Sequence, residues 1–379
     1  MRFNVQRSTF QSQKPGDTIG ISLLVVCFVL LSVLPARAEI KTIDAESVYA
    51  PGDNDSKADA RRIATQEAQR KALEQAGTFV ASLAQVKEYR MTRDEVTAYT
   101  AGIVTTDVVA SEDQGTVRHP EVLVRVRCRI DTDVLVRQID RYQDNEELRE
   151  QLEDMAQQQE ALRKERDGMV KQLQAEKDKE KAAETQQKLS SVLSREESID
   201  TTYRVWATVS PQIDFYSGRD VNRPVRPGDL EDAAGKLEQV VQASPENQQA
   251  CLLLAIIYEQ QNDLHRAETL LRGTIARHPN RPILHLRLGI VLRQEKQYDE
   301  ALRELHVMEK KRPNQPQMLF QTALTHKAKG NCRLASAYMK RLLLYTRKVD
   351  QPDIEKLKPK AREVIESCGD QPPREMRYR

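Results

Sequence analysis

Aromatic residues are scarce in this chain of 379 residues, at 5%, and there is a single tryptophan. A large core filled by aromatic rings is therefore excluded, and the 31% of charged residues favours solvated helices in two or three domains. Charge of one sign is also lacking, because 59 basic residues nearly balance 57 acidic ones. A net charge of +2 gives no reason to expect nucleic acid as a partner.

Catalytic signatures are missing as well. The sequence contains no G-x-S-x-G, no Gly-rich phosphate loop, no H-E-x-x-H and no calcium-binding loop. Its six histidines are scattered, and no carboxylate spacing beside His278, His285 or His326 supports a metal site. We therefore expect a protein that is not an enzyme, with no cofactor and no metal.

Cysteine is rare, and its five copies include no C-x-x-C pair, so zinc binding and thiol redox chemistry have no support. In an oxidising compartment, Cys332 and Cys368 are the candidates for a disulfide between the C-terminal segment and the region before it. The alternative is that the cysteines only pack, as expected for Cys251 in a helix and for Cys128 on an apolar strand face.

Long hydrophobic runs are absent apart from residues 21–34, which follow three basic residues and precede Ala-Arg-Ala (36–38). This order predicts a signal peptide over 1–38, cleaved after Ala38, and a periplasmic protein of the bacterial envelope. The alternative is an uncleaved inner-membrane anchor formed by residues 21–34, although the run is short for a membrane span.

Residues 39–142 have the pattern of a compact α+β domain. A long helix begins near Lys57 and carries a seam of alanines at every fourth position, which allows close packing on a sheet. Thr92 and Glu95 fit a capping box that opens a second short helix. The other elements expected are a first strand over 40–49, a second over 103–111, a turn at 113–115 and a partner strand over 121–130.

The partner strand alternates apolar residues with Arg125, Arg127 and Arg129. Such alternation predicts one buried and one solvated face. The arginines are therefore expected to be an ordinary solvated face; the alternative is a patch for phosphate or lipid headgroups.

This domain resembles the N-terminal domain of the flagellar assembly protein T and related small envelope lipoprotein domains. The resemblance is carried by Ala68-x3-Ala72-Leu73-x2-Ala76-Gly77-Thr78-x-Val80, by Ala101-Gly102-Ile103-Val104 and by the valine-rich hairpin. It implies a periplasmic accessory of the envelope with no catalytic role, and association with the envelope membrane is one expectation.

Residues 143–197 are rich in Glu, Gln, Lys and Arg and contain no proline. One heptad frame places apolar residues at a and d positions, interrupted by Gln159 and Arg166: Leu148, Leu152, Met155, Leu162, Met169 and Leu173. This pattern predicts a long helix or short coiled coil that dimerises weakly through 145–175; the alternative is a lone spacer helix. Residues 198–228 are expected to be a linker, in which Tyr203, Trp206, Phe215 and Tyr216 pack on another part of the chain.

Pro245, Pro279 and Pro313 stand 34 residues apart, with small and apolar residues repeating between them. Leu254-Ala255 matches Leu288-Gly289, and Ala267 matches Ala301. A fixed period of this length is typical of stacked helical hairpins, each closed by a proline that cannot continue a helix. This pattern resembles the tetratricopeptide repeat family, with Gln-Tyr-Asp-Glu-Ala-Leu (297–302) as a second-helix opening. The resemblance covers 229–347, and 348–379 are expected to supply a capping helix, near 353–367, and a tail.

In the resembled family, offsets 5, 9 and 12 of each repeat line a concave groove. The residues at these offsets form an apolar stripe with a basic end: Leu252, Ile256, Glu259, Leu286, Ile290, Arg293, Phe320, Leu324 and Lys327. Such a groove suits an amphipathic helix or an extended peptide with an acidic end. The alternative is that the aromatic linker over 203–216 fills the groove from within the chain.

The fold class expected is therefore multidomain: an α+β N-terminal domain, a long helix or short coiled coil, and a C-terminal all-α solenoid of helical hairpins. Two functions remain open. One is a non-enzymatic envelope scaffold or adaptor that binds a protein or peptide in the groove. The other is a structural spacer or assembly accessory of a flagellar or secretion machine, which oligomerises through its long helix.

Overall fold

The computed structural model of the protein describes residues 40–86, 96, 99–101, 104–116, 119–132, 135, 139, 146–209, 227–346 and 357–373. The predicted signal peptide lies outside these residues, as do Thr92 and Glu95 of the predicted short helix. The elements of the N-terminal half are β1 (Ile40–Tyr49), α1 (Lys57–Val86), β2 (Thr105–Thr116), β3 (His119–Asp131), α2 (Glu146–Ala175) and α3 (Lys179–Val209). Those of the C-terminal half are α4 (Pro227–Ala243), α5 (Gln248–Gln260), α6 (Leu264–Arg277), α7 (Pro282–Gln294), α8 (Tyr298–Lys311), α9 (Pro316–Ala328), α10 (Cys332–Thr346) and α11 (Leu357–Ser367).

The N-terminal unit is an antiparallel sheet in the order β1-β3-β2 with α1 packed on one face. The alanine seam makes this packing close, since Ala60, Ala64, Ala68, Ala72 and Ala76 are all fully buried. Methyl side chains let the backbone of α1 lie close to the sheet. The three-stranded sheet with a helix packed on it confirms the α+β prediction.

The predicted turn at 113–115 is wrong. The ladder between β2 and β3 continues past it, pairing Asp113 with Val122 and Gly115 with Pro120. Gly115 adopts a φ of 84°, which a residue without a side chain reaches at little cost, so the strand keeps its pairing up to Thr116.

The single long helix predicted over 143–197 is also wrong, because α2 and α3 fold back on each other as an antiparallel hairpin. Tyr203 donates to the Leu152 carbonyl, the Gln159 amide donates to Asp200, and Arg195 pairs with Glu165. The heptad residues Leu152, Met155 and Leu173 are buried within the chain, at 2%, 1% and 0% exposure.

Polar side chains make the turn of this hairpin, and neither proline nor glycine is needed. Asp178 accepts hydrogen bonds from the amides of Glu180 and Lys181 and so caps the start of α3. The Asn54 side chain donates to the carbonyls of Leu173 and Glu176 at 3.1 and 3.0 Å. These carbonyls at the end of α2 lack partners within the helix, so a residue of the N-terminal unit fixes where α2 ends.

The linker predicted over 198–228 is wrong in its first part, because α3 continues to Val209. Tyr203 and Trp206 are 3% and 2% exposed, and burial of their rings stabilises helix where the sequence indicated a loop. The end of α3 packs on α4 and α5 as the first helix of an additional hairpin. Phe215 and Tyr216 lie outside the described residues.

The C-terminal half is an array of helical hairpins: α5 with α6, α7 with α8, and α9 with α10. In each hairpin the turn holds a left-handed residue at the same offset: Asn262, Lys296 and Gly330, with φ of 60°, 65° and 85°. The next amide donates to a carbonyl five residues earlier, for example Asn331 to His326 at 2.8 Å. This repeated geometry confirms the predicted hairpin solenoid.

One buried apolar cluster runs without a break from the sheet through the α2/α3 hairpin to the hairpins α5/α6 and α7/α8. A second cluster joins α7 to α10 with α11, which covers the end of the array as a capping helix does. Within the described part of the chain, every helix is too short or too polar to span a bilayer.

Candidate partner-binding surface

The first helices of the hairpins carry the nine predicted groove residues, and the structure buries six of them. Their exposed fractions are 1% for Leu252, 1% for Ile256, 8% for Glu259, 0% for Leu286, 4% for Ile290 and 3% for Phe320. Arg293, Leu324 and Lys327 are half-buried. The nine residues do follow one line of helices, but most of the predicted apolar stripe is interior in the isolated chain.

The buried residues divide between the two apolar clusters. Leu252 and Ile256 belong to the cluster that also contains Leu152, Met155 and Trp206 of the α2/α3 hairpin. Leu286, Ile290 and Phe320 belong to the cluster of the last two hairpins and α11. The predicted role of these residues in partner binding stays a prediction, and without rearrangement a partner reaches only the half-buried end.

Helix α2 forms ion pairs with two loops of the repeat array. Its Asp154 pairs with Arg281 just before α7 at 2.5 Å, and its Glu150 pairs with Arg312 just after α8 at 2.6 Å. Both arginines lie in the loops that join one hairpin to the next. Carboxylates of a helix of the chain itself therefore pair with the arginines just before α7 and just after α8, as the acidic end of an external ligand would.

Glu259 is a buried polar contact between α5 and α7. Gln294 donates to its carboxylate at 2.6 Å, and a nitrogen of Arg287 lies 3.9 Å from its other oxygen. Burial raises the pKa of Glu259, while the positive charge of Arg287 acts in the opposite direction. The polar residue at offset 12 thus joins two repeats.

The accessible end of the line is formed by Leu324 and Lys327 on α9. Lys327 makes no ion pair with any described residue, whereas the neighbouring Lys329 pairs with Asp299. Close by, His326 stacks on Tyr338 with ring centroids 5.7 Å apart. Burial lowers the pKa of His326, so this histidine adds no charge at neutral pH. The end of the groove therefore offers the apolar side chain of Leu324 beside the ammonium group of Lys327.

The three arginines of β3 are matched by carboxylates on both neighbouring strands. Arg127 pairs with Asp44 at 2.8 Å and Arg125 with Glu46 at 3.2 Å, while Arg129 pairs with Asp107. These are exposed cross-strand pairs that neutralise the face they lie on. The structure thus agrees with a solvated face, on which each of the three arginines already has a carboxylate partner.

Sequence reasoning missed a buried ionic cluster around Arg166, a polar residue at an a position of the heptad frame. Arg166 is 2% exposed and contacts Gln66 and Glu67 of α1, Asp167 beside it, and Glu196 of α3. Burial raises the pKa of Glu196 to about 7, against the lowering effect of Arg166. Arg166 at an a position was the signal in the sequence, because a charged residue on an apolar seam requires a partner of opposite charge.

Among the described residues, no group of three or more His, Cys, Asp or Glu side chains is placed to hold a metal ion.

His285 lies 2.7 Å from Glu304, and hydrogen bonding to this carboxylate raises the pKa of the imidazole. The contact joins α7 to α8 within one hairpin.

Comparison with known families decides what the hairpins are. The tetratricopeptide repeat family model matches residues 225–288 and again residues 260–324. Residues 225–324 are tetratricopeptide repeats. Repeats of this family are a non-catalytic type of scaffold for protein–protein interaction, and the matched residues extend from α4 into α9.

Solved structures of MamA are similar to part of the chain. MamA of AMB-1 is 18% identical, covering 48% of this chain and 90% of its own, at a TM-score of 0.31. MamA of MSR-1 is 21% identical, covering 40% of this chain and 94% of its own, at a TM-score of 0.30. MamA from Desulfovibrio magneticus RS-1 is 19% identical, covering 37% of this chain and 88% of its own, at a TM-score of 0.29. At such scores these likenesses carry no argument about function.

No curated protein matches the chain. The resemblance of residues 39–142 to the flagellar assembly protein T domain finds no support in the comparisons and stays a prediction.

Proposed function

We propose that this protein is a non-enzymatic scaffold of the bacterial envelope that binds a protein or peptide partner on the first helices of its tetratricopeptide repeats. The partner would begin at the half-buried Leu324 and Lys327. One observation carries the proposal: a lysine without an ion-pair partner among the described residues lies beside a partly exposed leucine. Together they end the line of residues at the offsets where the resemblance to tetratricopeptide repeats implies a binding groove. The partner chemistry that fits is an apolar segment ending in a carboxylate.

Site-specific photo-crosslinking in intact bacteria tests this surface. A photoreactive residue at 327 should capture a discrete adduct, whereas the same residue at Leu344, which is 50% exposed on α10, should not. Lys327→Glu should lower binding of the captured partner by about tenfold, the effect of losing about 1.4 kcal/mol. Lys310→Glu on α8 is the matched charge reversal, on an exposed lysine away from the groove, and should leave binding unchanged. Equal capture at 327 and 344, or equal loss in both charge variants, would contradict the proposal.

The periplasmic location belongs to the same proposal and is supported by the pattern of residues 1–38. Cell fractionation with intact-mass measurement tests it: a periplasmic chain that begins at Glu39 supports export and cleavage. A membrane-bound chain that retains residues 21–34 would contradict cleavage and support the inner-membrane anchor instead.

A structural spacer or assembly accessory of an envelope machine is the second candidate. The continuous cluster from the sheet to the second hairpin favours it, because it fixes the N-terminal unit at a set distance from the repeats. Oligomerisation through 145–175 is less supported, since Leu152, Met155 and Leu173 are already buried within one chain. Sedimentation of the mature chain separates the two: a monomer favours the scaffold, and a stable dimer that Leu162→Glu, at a half-buried heptad residue, converts to a folded monomer favours the spacer.

A further inference from the structure

Two cysteines meet where the repeat array ends. Cys332 is the first residue of α10, and Cys368 directly follows the last residue of α11. Both are half-buried, and α11 packs against α10 and α9. Two residues that are distant in sequence are thus brought to the same corner of the fold by helix packing.

The side chains of Cys332 and Cys368 are neighbours, because α11 packs on α10 with its end beside the start of α10. Burial raises the pKa of the Cys368 thiol, and the hydrogen bond with the Cys332 side chain raises it further. Cys332 is the first residue of a helix of 15 residues, and its side chain is the one that interacts with Cys368. The pair therefore consists of two thiols placed side by side at the end of the array.

The backbone on both sides of the pair is held in place. Asn331, just before Cys332, donates to the His326 carbonyl at 2.8 Å, and Asp370 donates to the Ile365 carbonyl at 3.1 Å. The Asp370 carboxylate also accepts from Lys340 of α10 at 2.8 Å, which ties the end of α11 to α10. The two helix ends therefore hold the sulfur atoms near each other before any bond between them forms.

We propose that Cys332 and Cys368 form an intramolecular disulfide that fastens the capping helix α11 to the last repeat hairpin. The oxidant is a disulfide, carried by a protein or a small molecule. One of the two cysteines attacks, as its thiolate, one sulfur of the oxidant and releases a thiol; the other cysteine then attacks the sulfur of the first in the mixed disulfide and releases the second thiol. Two S–H bonds are broken and one S–S bond is formed, and the oxidant gains two electrons and two protons.

The other two cysteines of the described region serve as internal controls. Cys128 is fully buried in the sheet, and burial raises its thiol pKa to about 12. Cys251 is fully buried in α5, and burial raises its pKa too. Neither is accessible to an oxidant, whereas Cys332 and Cys368 are half-buried, so a selective reaction is expected at Cys332 and Cys368. This proposal does not rest on partner binding at Lys327.

The test uses the mature chain, reduced and then exposed to oxidised glutathione, blocked with N-ethylmaleimide and digested with trypsin. The expected product joins the peptides 330–333 and 363–374, two hydrogen masses below their sum. Cys128 and Cys251 should be blocked only after denaturation. Free Cys332 and Cys368 in the oxidised sample, their capture as stable glutathione adducts, or disulfides between two chains would overturn the proposal.

Thermal unfolding gives a second readout. The oxidised protein should melt at a higher temperature than the reduced one, and Cys332→Ser and Cys368→Ser should each abolish the difference. Cys251→Ser should retain it. Serine variants that match the reduced wild type in melting temperature show that the fold is intact, so a difference that persists in either variant would refute the pairing.

Discussion

Replacing Gly289 by alanine tests how closely α7 and α8 approach within a repeat. An alanine Cβ at this position would lie 2.8 Å from Cγ and 3.0 Å from Cδ2 of Leu305, and 3.2 Å from the carbonyl oxygen of Ala301. The last contact is with backbone, so rotation of a side chain does not relieve it. The two helices must therefore separate.

The magnitude follows from two opposed effects. Inserting a methyl group into a well-packed contact costs about 1–3 kcal/mol. Alanine also favours helix over glycine by about 1 kcal/mol, which offsets part of this cost. The difference between these two effects leads us to expect that Gly289→Ala lowers the free energy of unfolding by about 1 kcal/mol.

Gly235→Ala on α4 is the matched control, because nothing lies within 4 Å of its Cβ position. This variant should gain about 0.5–1 kcal/mol from helix propensity alone. The assay is urea unfolding followed by circular dichroism, with the midpoints compared at equal slope. A Gly289→Ala protein as stable as Gly235→Ala would refute the reasoning. Ala255 and Ala323 occupy the same offset as Gly289 in the neighbouring repeats. That result would mean that α7 and α8 can move apart, without a cost in free energy, to a distance that accommodates alanine.

Three further predictions concern charge and backbone. Arg166→Met should lower the free energy of unfolding by about 3–5 kcal/mol, because Glu67 and Glu196 lose their buried cation, and adding Glu196→Gln should recover part of it. The pKa of Glu196 is raised to about 7 from an unfolded value of 4.5, so its stabilising effect is complete below 4.5 and lost as pH rises through 7. Melting temperature should therefore rise between pH 8 and pH 5, and Glu196→Gln should flatten that rise. Lys296→Gly should stabilise the protein by about 1 kcal/mol in urea unfolding, since its φ of 65° suits glycine, as at Gly330; no gain would contradict this account.

The hairpins could be predicted from sequence because their signals are local and repeat. Proline, alanine and glycine recur at fixed offsets, and each hairpin brings together residues that are close in the chain. The alanine seam of α1 was readable for a similar reason, since spacing by four places every member on one face of a helix. The family match confirms the repeats over 225–324.

The α2/α3 hairpin could not be predicted because its decisive contacts are distant in sequence. Asn54 binds the carbonyls of Leu173 and Glu176, which are 119 and 122 positions away, and this contact fixes the end of α2. A heptad frame does not state whether its seam is buried by a second chain or by the same chain. Gln159 bonds to Asp200 and Arg166 pairs with Glu67, both of the same chain, so the seam is covered from within the chain.

The groove stays a prediction, and the structure bears only on its accessibility. The nine residues lie on α5, α7 and α9, the first helices of the three hairpins. Whether they are accessible depends on the rest of the chain, and no offset within a repeat encodes that. Leu252 and Ile256 are buried in the same cluster as the α2/α3 hairpin, which lies outside the repeated sequence.

Helix α3 is a member of two units at once. Its first half packs beside α2 and α1, and its last turns begin the repeat array, as the hydrogen bonds from Asn247 to Ser198 and Thr202 show. A helix of 31 residues is ~46 Å long and resists bending. A partner that tilts the first repeat would therefore also shift the contacts that this helix makes with α1, where Arg62 pairs with Glu197 at 2.7 Å.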